Sequence, residues 1–431
     1  MNRLLFTAAS VIALGVPSAA LAAGSASFLT QIGPETASVD QTGAIDSQVG
    51  TKIDPLIQQP GSGGGGNIIT ITQTGSGNTI GVVIAASQSG TANVAIITQA
   101  GTDGSVVIDQ SGDDNGNFSG AVHAIDQKTT AVVSTIIVTE SGSLDDFSIS
   151  QEGGTLNSVS VFQLGSSNSI AASQAGNHLT VSVTQNNNLN QVFSVQLGST
   201  DSLTATQTGS GALPDTISNN QVASNDTANV SLQDGFNNMI VNSQFLNRDT
   251  LTVVLQDGSG LAITNIQAGP GNTATLSLQA GSTDRLTNDQ SGSNNILTVN
   301  SQSGTNLTIV STQDGAGGHT TFTQSGNFNE ASLTQGLGTS GDSAVLTQSG
   351  SDNQASVNQS GSSDDAQSTQ SGTWTVALLT QSGAGNEIIG SQTGTGSGTA
   401  TQDSVTIDQT TANNTAVYSQ AGSGHRLTIK Q

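Results

Sequence analysis

Apolar and polar residues alternate along most of this chain in short runs, and each run closes on a glutamine. In one such run Leu179, Val181 and Val183 alternate with polar residues before Gln185. Alternation with a period of two residues is typical of a β-strand that buries one face. A cluster of Gly, Asn, Ser and Asp follows most runs and indicates a turn. The pattern therefore predicts strand and turn in regular succession.

The closing glutamines return at a nearly constant interval. Residues 73–431 divide into 30 steps of about 12 residues, and steps of 11 and 12 alternate between Gln233 and Gln313. Two arms thus form one unit of about 22–23 residues. Self-similarity at a fixed period indicates an architecture of stacked repeats, and the mature chain shows no sustained helical period. We predict an all-β fold, a β-solenoid of about 15 stacked strand-turn-strand rungs.

The same periodicity predicts which side chains face inward. Counting back from Gln359, the residues on its face are Val357, Ala355 and Asn353. Stacked rungs place identical amides about 4.8 Å apart, where each buried amide finds the partner it needs. We expect an inward-facing stacking ladder that includes Gln151, Gln163, Asn168, Gln174, Gln185, Gln196, Gln207, Gln324, Asn329, Gln335, Gln348, Asn353, Gln359, Gln370 and Gln381.

Two smaller features of the repeat also carry predictions. Before Gln256 the apolar residues Leu251, Val253 and Leu255 lie at an odd spacing from the glutamine, which indicates one extra residue and hence a β-bulge or an altered corner. The glycine two residues after each glutamine is expected at a corner with positive φ.

The first residues have the features of a secretory signal peptide. Arg3 is basic, an apolar stretch follows to Val16, and Ala20-Leu21-Ala22 offers a cleavage site between small residues. We predict that residues 1–22 are removed on export through the periplasm. No other apolar run approaches the roughly 20 residues of a membrane-spanning helix, so we expect a secreted protein without membrane insertion.

Composition divides the rest of the chain into two segments. Residues 23–66 hold three of the six prolines and end in a glycine-rich stretch, so we predict a flexible leader there and the repeat array over 67–431. Longer steps between Gln110 and Glu140, Gln207 and Gln221, and Gln392 and Gln409 predict loops inserted at corners. Glu140 occupies a position where the repeat otherwise has glutamine.

Charge and residue content exclude several classes of function. The formal charge is −23, from 7 Lys and Arg against 30 Asp and Glu, which disfavours nucleic acid as a partner. Cysteine is absent, so the chain forms no disulfides. The histidines are scattered (His123, His178, His319 and His425), and the acidic pairs Asp113-Asp114, Asp145-Asp146 and Asp364-Asp365 fall in turn clusters, where we expect them to be solvated. We therefore expect no catalytic, cofactor-binding or metal-binding residues, and no enzymatic activity.

The recurring unit resembles the curlin repeat of curli fibre subunits. The segments Gln163–Gln174 and Gln348–Gln359 both follow the pattern Gln-x-Gly-x-x-Asn with a second glutamine at the end. The resemblance implies an extracellular amyloid fibre at the cell surface that functions in adhesion and in the biofilm matrix. It also implies self-association, an outer-membrane secretion pore and a nucleator as partners. Gln59-Pro60-Gly61 is similar to that family's export-targeting segment.

Two functional hypotheses remain open from the sequence. The leading one is a curli-like fibre subunit that polymerises end to end through the exposed edges of its terminal rungs. The alternative is a monomeric β-solenoid adhesin or surface-layer component with capped ends. The alternative draws on the length of the array, because curli subunits carry few repeats whereas this chain has about 30 arms.

Overall fold

The computed structural model describes residues 4–6, 24–31, 35–41, 43–51, 55–60, 66–81, 86–115, 124–128, 130–209, 213–254, 256–277 and 279–431. The chain divides into two compact units, Met1–Thr216 and Ile217–Gln431. Successive coils of about 23 residues form about 16 turns along the chain. The predicted all-β solenoid is thereby confirmed.

Each coil contributes a first arm to one parallel sheet and a second arm to another. In the first unit the first-arm strands are β1 (Leu4–Phe6), β2 (Ala26–Gln31), β5 (Gln48–Val49), β6 (Leu56–Pro60), β9 (Thr79–Ile80), β10 (Ser87–Thr91), β12 (Ser105–Asp113), β15 (Thr135–Ser143), β18 (Ser158–Ser166), β20 (Thr180–Asn188) and β22 (Ser202–Gln207). The second-arm strands are β3 (Thr36–Asp40), β7 (Ile68–Gln73), β11 (Val94–Gln99), β13 (Ala124–Gln127), β16 (Asp146–Gln151), β19 (Ser169–Asn177) and β21 (Gln191–Ser199). Short corner strands pair as β4 (Ala44–Ile45) with β8 (Gly75–Ser76), and β14 (Ala131–Val132) with β17 (Gly154–Thr155).

The second unit repeats this arrangement. Its first-arm strands are β24 (Thr227–Phe236), β26 (Thr250–Val253), β27 (Gln256–Ser259), β29 (Thr273–Leu276), β30 (Gln279–Ser282), β32 (Ile296–Thr305), β34 (His319–Asn327), β36 (Ser343–Ser351), β38 (Asp365–Thr373), β40 (Glu387–Thr395) and β42 (Thr415–Gly422). Its second-arm strands are β23 (Thr216–Gln221), β25 (Met239–Gln244), β28 (Ala262–Gln267), β31 (Arg285–Gln290), β33 (Thr308–Gln313), β35 (Glu330–Gln335), β37 (Gln354–Gln359), β39 (Thr375–Gln381), β41 (Asp403–Gln409) and β43 (Arg426–Lys430).

Strand register aligns the glutamines of neighbouring coils. In the second unit Gln324 pairs with Gln348, and Gln348 with Gln370, each one rung further along. Alternate residues of each arm point between the two sheets, so that Phe322 and Leu346 are almost fully buried. The core is therefore a narrow apolar layer between the arms, with an amide near the end of each strand.

Corners are tight because neighbouring rungs follow the same path one strand spacing apart. Gly326, two residues after Gln324, has φ +100°, and a Cβ there would lie 1.9 Å from the carbonyl oxygen of Gly350 in the next rung. Only glycine fits such a position. The predicted positive φ at this corner position is confirmed.

Before Gln256, where one extra residue was predicted, the first arm is interrupted between Val253 at the end of β26 and Gln256 at the start of β27, and both side chains are buried. The pairing of β32 with β34 shifts register between Val299 and Ser301, so that both Val299 and Gln302 face inward. Of the predicted loops, the one before Gln409 contains a short 3-10 helix, Thr399–Thr401. Residues 116–123 and 210–212 of the other two lie outside the described residues, as do Leu255 and His123.

Several strands lie N-terminal to residue 67. β2 pairs with β5 and β6, and β3 pairs with β7, each in parallel register. β1 pairs with β2, whereas Arg3 and the predicted cleavage site lie outside the described residues. The boundaries of the signal peptide, leader and array stay predictions.

Candidate functional site

The inward glutamines form continuous ladders of side-chain hydrogen bonds. In the first-arm sheet of the second unit, the Nε2 of Gln324 donates to Oε1 of Gln348 at 2.7 Å. Gln348 donates in turn to Gln370 at 2.8 Å, and Gln370 to Gln392 at 3.0 Å. All four side chains are at most 1% exposed. Each amide thus finds its partner in the next coil, 22–28 residues away along the chain.

A second hydrogen bond uses the remaining N–H of these glutamine amides. The other N–H of Gln348 donates to the backbone carbonyl of Glu330 at 2.9 Å, and that of Gln370 donates to the carbonyl of Gln354 at 2.7 Å. These carbonyls belong to the second arm of the preceding coil. Each glutamine therefore links the first arm of its own coil to the second arm of the coil before it. A buried amide whose donors are all used carries little desolvation penalty.

The structure distributes the predicted ladder residues over three kinds of position. The first-arm sheets contain Gln163, Gln185, Gln207, Gln324, Gln348 and Gln370. The second-arm sheets contain Gln151, Gln174, Gln196, Gln335, Gln359 and Gln381. The corners between the arms contain Asn168, Asn329 and Asn353. All of these side chains are buried.

The corner asparagines bond differently from the expected side-chain ladder. Oδ1 of Asn329 accepts the backbone N–H of Asn353 at 3.1 Å, and Nδ2 of Asn353 donates to the carbonyls of Ser349 and Gly372. The corner asparagine therefore binds backbone on both sides and fixes the turn. It does not bond to the asparagine above it through the side chains.

A second side-chain ladder was missed by sequence reasoning. Asn242 donates to Asn219, Asn265 to Asn242 and Asn288 to Asn265, each from Nδ2 to Oδ1 at 2.8 Å. Each asparagine lies two residues before an inward glutamine, and the tripeptide Asn-x-Gln recurs at this spacing in the sequence. The recurring tripeptide was the available signal. These residues replace aliphatic core positions in four consecutive second arms.

Glu140 is the one acidic residue at a glutamine position among the described rungs. It lies in register between Gln110 and Gln163, and Nε2 of Gln110 donates to its Oε2 at 3.0 Å. Burial raises the pKa of Glu140 well above its ordinary value, and the charges of Asp145 and Asp146 add to the effect. Oε1 of Gln163 is buried without a hydrogen-bond donor from the protein. Protonation of Glu140, which pairs with Gln163 in register, would provide an O–H donor for this acceptor.

Aspartates occupy several corner positions that elsewhere hold asparagine. Asp249 accepts the backbone N–H of Asn272 at 3.0 Å through Oδ1, as an asparagine would. Burial raises the pKa of Asp145 and of Asp249 to about 7, and that of Asp226 and of Asp284 to about 6. A protonated carboxyl reproduces both the acceptor and the donor of the asparagine amide. These corner carboxyls are therefore protonated at a higher pH than exposed carboxyls are.

The C-terminal rung presents an open strand edge. β43 pairs with β41 on one side, and no other strand in the described part of the chain lies on its second side. Leu427 and Ile429 of β43 are half-buried, whereas their partners Val405 and Ile407 in β41 are fully buried. The end of the apolar layer is thus uncovered.

The second-arm sheet of the first unit has a comparable edge. β3 pairs with β7, and among the described residues no strand lies on its opposite side. Ala37 and Val39 are half-buried, whereas their partners Ile69 and Ile71 are fully buried. Both edges carry an unfinished backbone ladder over an exposed strip of core.

The fold and the ladders define a parallel β-solenoid whose coils are joined by buried amides. In comparison with known families, the model described as curlin associated repeat matches residues 154–186 and 402–431. These two segments of the chain are therefore curlin-type repeats. No curated protein matches it significantly.

Two further observations on the described residues concern metal sites and membrane spans. They contain no cluster of three or more His, Asp or Glu side chains arranged to hold a metal ion. No helix in the same part of the chain is long and apolar enough to cross a membrane.

Proposed function

We propose that this protein is a secreted structural protein, a curli-like functional amyloid fibre subunit that serves adhesion and the biofilm matrix. The observation that carries the proposal is the continuity of the ladders to the outermost rungs. Gln409 donates to Gln431 at 2.8 Å and Gln392 to Gln420 at 3.0 Å, so the last coil has the same bonding as the interior. A further rung from another copy continues the same pattern.

The exposed edges support assembly because most β-proteins protect such edges. Charged residues that point inward, prolines, bulges or covering loops usually block strand addition. Here β43 ends in an uncovered strip of Leu427 and Ile429, and its inner face carries no charge. Addition of a strand from a second copy buries this strip and completes the backbone ladder.

The remaining parts of the proposal rest on the sequence and on the family. The N-terminal features support export through the periplasm, and the curlin repeat supports a location outside the cell. An outer-membrane secretion pore and a nucleator are the partners expected for a curli-type system. The function requires no cofactor and no catalytic group, because the hydrogen bonds and the apolar layer themselves produce the assembly.

One observation favours the alternative of a capped monomeric adhesin. Tyr418 in β42 turns back over Gly390, where a Cβ would lie 1.8 Å from the tyrosine ring, and its hydroxyl bonds to Ser368 at 2.9 Å. The aromatic ring fills the core of the last first arm. The tyrosine ring therefore covers the core at the first arm of the last coil, whereas the second arm of that coil stays uncovered. For this reason the fibre subunit is the better supported function.

Electron microscopy and fibre diffraction on the mature chain test the proposal. We expect unbranched fibres that bind thioflavin, with a reflection at about 4.8 Å along the fibre axis. Ile429→Lys places a charge on the uncovered strip and should block elongation, whereas the matched variant Thr428→Lys changes an exposed residue and should not. A chain that stays folded and monomeric under all conditions would contradict the fibre subunit and favour the capped adhesin.

A further inference from the structure

One corner position of the second unit has a positive φ in seven consecutive coils. It is the fourth residue after each first-arm glutamine, and the first four of these coils have Asn237, Gly260, Thr283 and Asn306 there. The next three coils have Phe328, Asp352 and Trp374, with φ of 54°, 56° and 57°. Two bulky aromatic residues, one of them the sole tryptophan of the chain, thus occupy a position that the four preceding coils fill with small or polar residues.

Aromatic residues rarely adopt this backbone conformation, because a positive φ brings Cβ close to the following carbonyl oxygen. Asparagine and glycine adopt it at a lower cost. Backbone hydrogen bonds to the preceding coil hold both aromatic residues there, since the N–H of Phe328 donates to the carbonyl of Thr305 at 2.9 Å and that of Trp374 to the carbonyl of Ser351 at 3.1 Å. Strain that a fold maintains in this way points to a functional position.

Phe328, Asp352 and Trp374 form an edge strip along successive rungs. The strands that precede them, β34, β36 and β38, pair in parallel register up to their last residues, so the two aromatic residues lie two rungs, or about 10 Å, apart. Phe328 is 57% exposed, whereas Asp352 and Trp374 are half-buried. Because the three residues have nearly the same φ in the same register, their side chains leave the corner in the same direction.

We propose that the edge strip binds a neutral, extended polysaccharide, with one sugar ring against Phe328, another against Trp374, and sugar hydroxyls between them donating to Asp352. The face of an aromatic ring is partially negative and attracts the polarised C–H groups on the face of a pyranose ring. A carboxylate accepts hydrogen bonds from hydroxyl groups. The spacing of two rungs is close to the length of a disaccharide unit in an extended 1,4-linked chain.

The charge of the protein selects a neutral ligand. With a formal charge of −23 the chain repels nucleic acids and anionic polysaccharides, although their bases or sugars also stack on aromatic rings. A cationic ligand favours several rings around one point, whereas here the two rings are two rungs apart. The inference rests on the adhesive part of the proposed function, to which it adds the chemistry of the surface that is bound.

Phe328→Asn and Trp374→Asn test the edge strip without a change that the corner cannot accommodate, because Asn237 and Asn306 occupy the same position in other coils. Chitin particles provide a neutral, extended, 1,4-linked polysaccharide as the probe. We expect each variant of the mature chain to bind chitin about tenfold more weakly than the native chain, measured by depletion from solution. The melting temperature should be unchanged or higher, since asparagine relieves the strain at positive φ.

The controls separate stacking from general apolar adhesion. Phe236→Asn removes a phenylalanine that is 46% exposed at the end of β24, outside the edge strip, and should leave binding unchanged. Phe328→Tyr retains an aromatic ring and should bind as the native chain does. Soluble chitin hexamer should release the bound protein, whereas alginate, an anionic polysaccharide, should not.

The outcomes for the edge strip are distinct from those for the fibre. Binding to chitin by a chain that forms no fibres would support the edge strip and contradict the fibre subunit. Fibres that do not bind chitin, or that bind it equally well with and without Phe328 and Trp374, would overturn the edge strip alone. An equal loss of binding in Phe236→Asn, or release by alginate, would also overturn it.

Discussion

At the scale of single residues, glutamine is suited to this core because its amide has equal numbers of donors and acceptors to share with both neighbours. Gln324 accepts from Gln302 at 3.3 Å, donates to Gln348 at 2.7 Å and donates to the carbonyl of Thr308 at 3.0 Å. An apolar residue of similar size leaves each of these groups buried without a partner. The ladder therefore restricts the residue type at each of its positions, just as an apolar core restricts side-chain volume.

Replacing one ladder glutamine should destabilise the fold more than replacing its outward neighbour. We expect Gln324→Leu to lower the free energy of unfolding by about 2–4 kcal/mol, because two flanking amides and a carbonyl lose a bond. Thr323→Leu, on the solvent face, should change it by less than about 0.5 kcal/mol. Denaturant titration of both variants measures the difference, and equal values would show that the ladder adds no stability.

Glu140→Gln should stabilise the protein in a pH-dependent way. The folded state holds the pKa of Glu140 well above that of the unfolded chain, so folding takes up a proton, and stability falls as pH rises through the folded pKa. Below the unfolded pKa both forms are neutral and the substitution should have little effect. At about pH 8 it should raise the free energy of unfolding by about 1–3 kcal/mol, the cost of leaving a buried acceptor unpaired.

Thermal melts between about pH 4 and about pH 8, on either side of the ordinary range for carboxyl groups, measure this trend. Glu152→Gln is the matched control, since Glu152 is exposed and forms an ion pair with Lys128. A stability gain that is the same at every pH would contradict a neutral Glu140.

At the scale of the structural element, the corner determines how closely coils stack. Gly350 has φ +101°, and a Cβ there would lie 1.9 Å from the carbonyl oxygen of Gly372 in the next rung. Sequence reasoning identified these corners from the glycine two residues after each glutamine. It also predicted the interruption before Gln256 from the phase of the apolar residues, because side chains alternate strictly along a strand, and the first arm breaks there between β26 and β27.

A corner glycine should not tolerate alanine. Gly350→Ala should lower the free energy of unfolding by at least about 2 kcal/mol, since the methyl group meets backbone that cannot move without shifting the next coil. Gly398→Ala, at a position with no atom within 4 Å of the added carbon, should be neutral to within about 0.5 kcal/mol. Similar losses for both variants would show that the corner is not sterically constrained.

At the scale of the whole molecule, the net negative charge opposes assembly, whereas the uncovered strand edges of the terminal rungs favour it. The formal charge is −23, so copies repel one another where carboxylates are ionised. The buried Asp145 and Asp249, each with a pKa of about 7, lose their charge earlier on acidification than exposed carboxylates do. Acid therefore stabilises the coils and reduces repulsion at the same time.

Fibre formation should accelerate on mild acidification and on addition of salt. We expect a shorter lag at about pH 4.5 than at about pH 7, because carboxyl groups titrate between these values. Added salt at about pH 7 should shorten the lag by screening. Thioflavin kinetics measure both effects, with the proportion of monomer followed by sedimentation. A lag unaffected by either condition would show that repulsion between copies does not limit assembly.

The sequence by itself determined the class of fold and the orientation of the repeat. Alternation at a period of two residues defines the strands, the interval of about 23 residues defines the coil, and together they turn glutamines such as Gln324 inward. These are consequences of local geometry, because the direction of a side chain along a strand depends only on its place in the pleat.

Tertiary structure alone decided how the polar groups are satisfied. The direction of the glutamine ladder, the backbone bonds of the corner asparagines, the ladder from Asn219 to Asn288 and the raised pKa of Glu140 all depend on groups in other coils. The sequence shows that an amide is buried, but not which lone pair or N–H faces which neighbour. That choice depends on the relative placement of backbone segments some 16–30 residues apart, which only the stacked coils define.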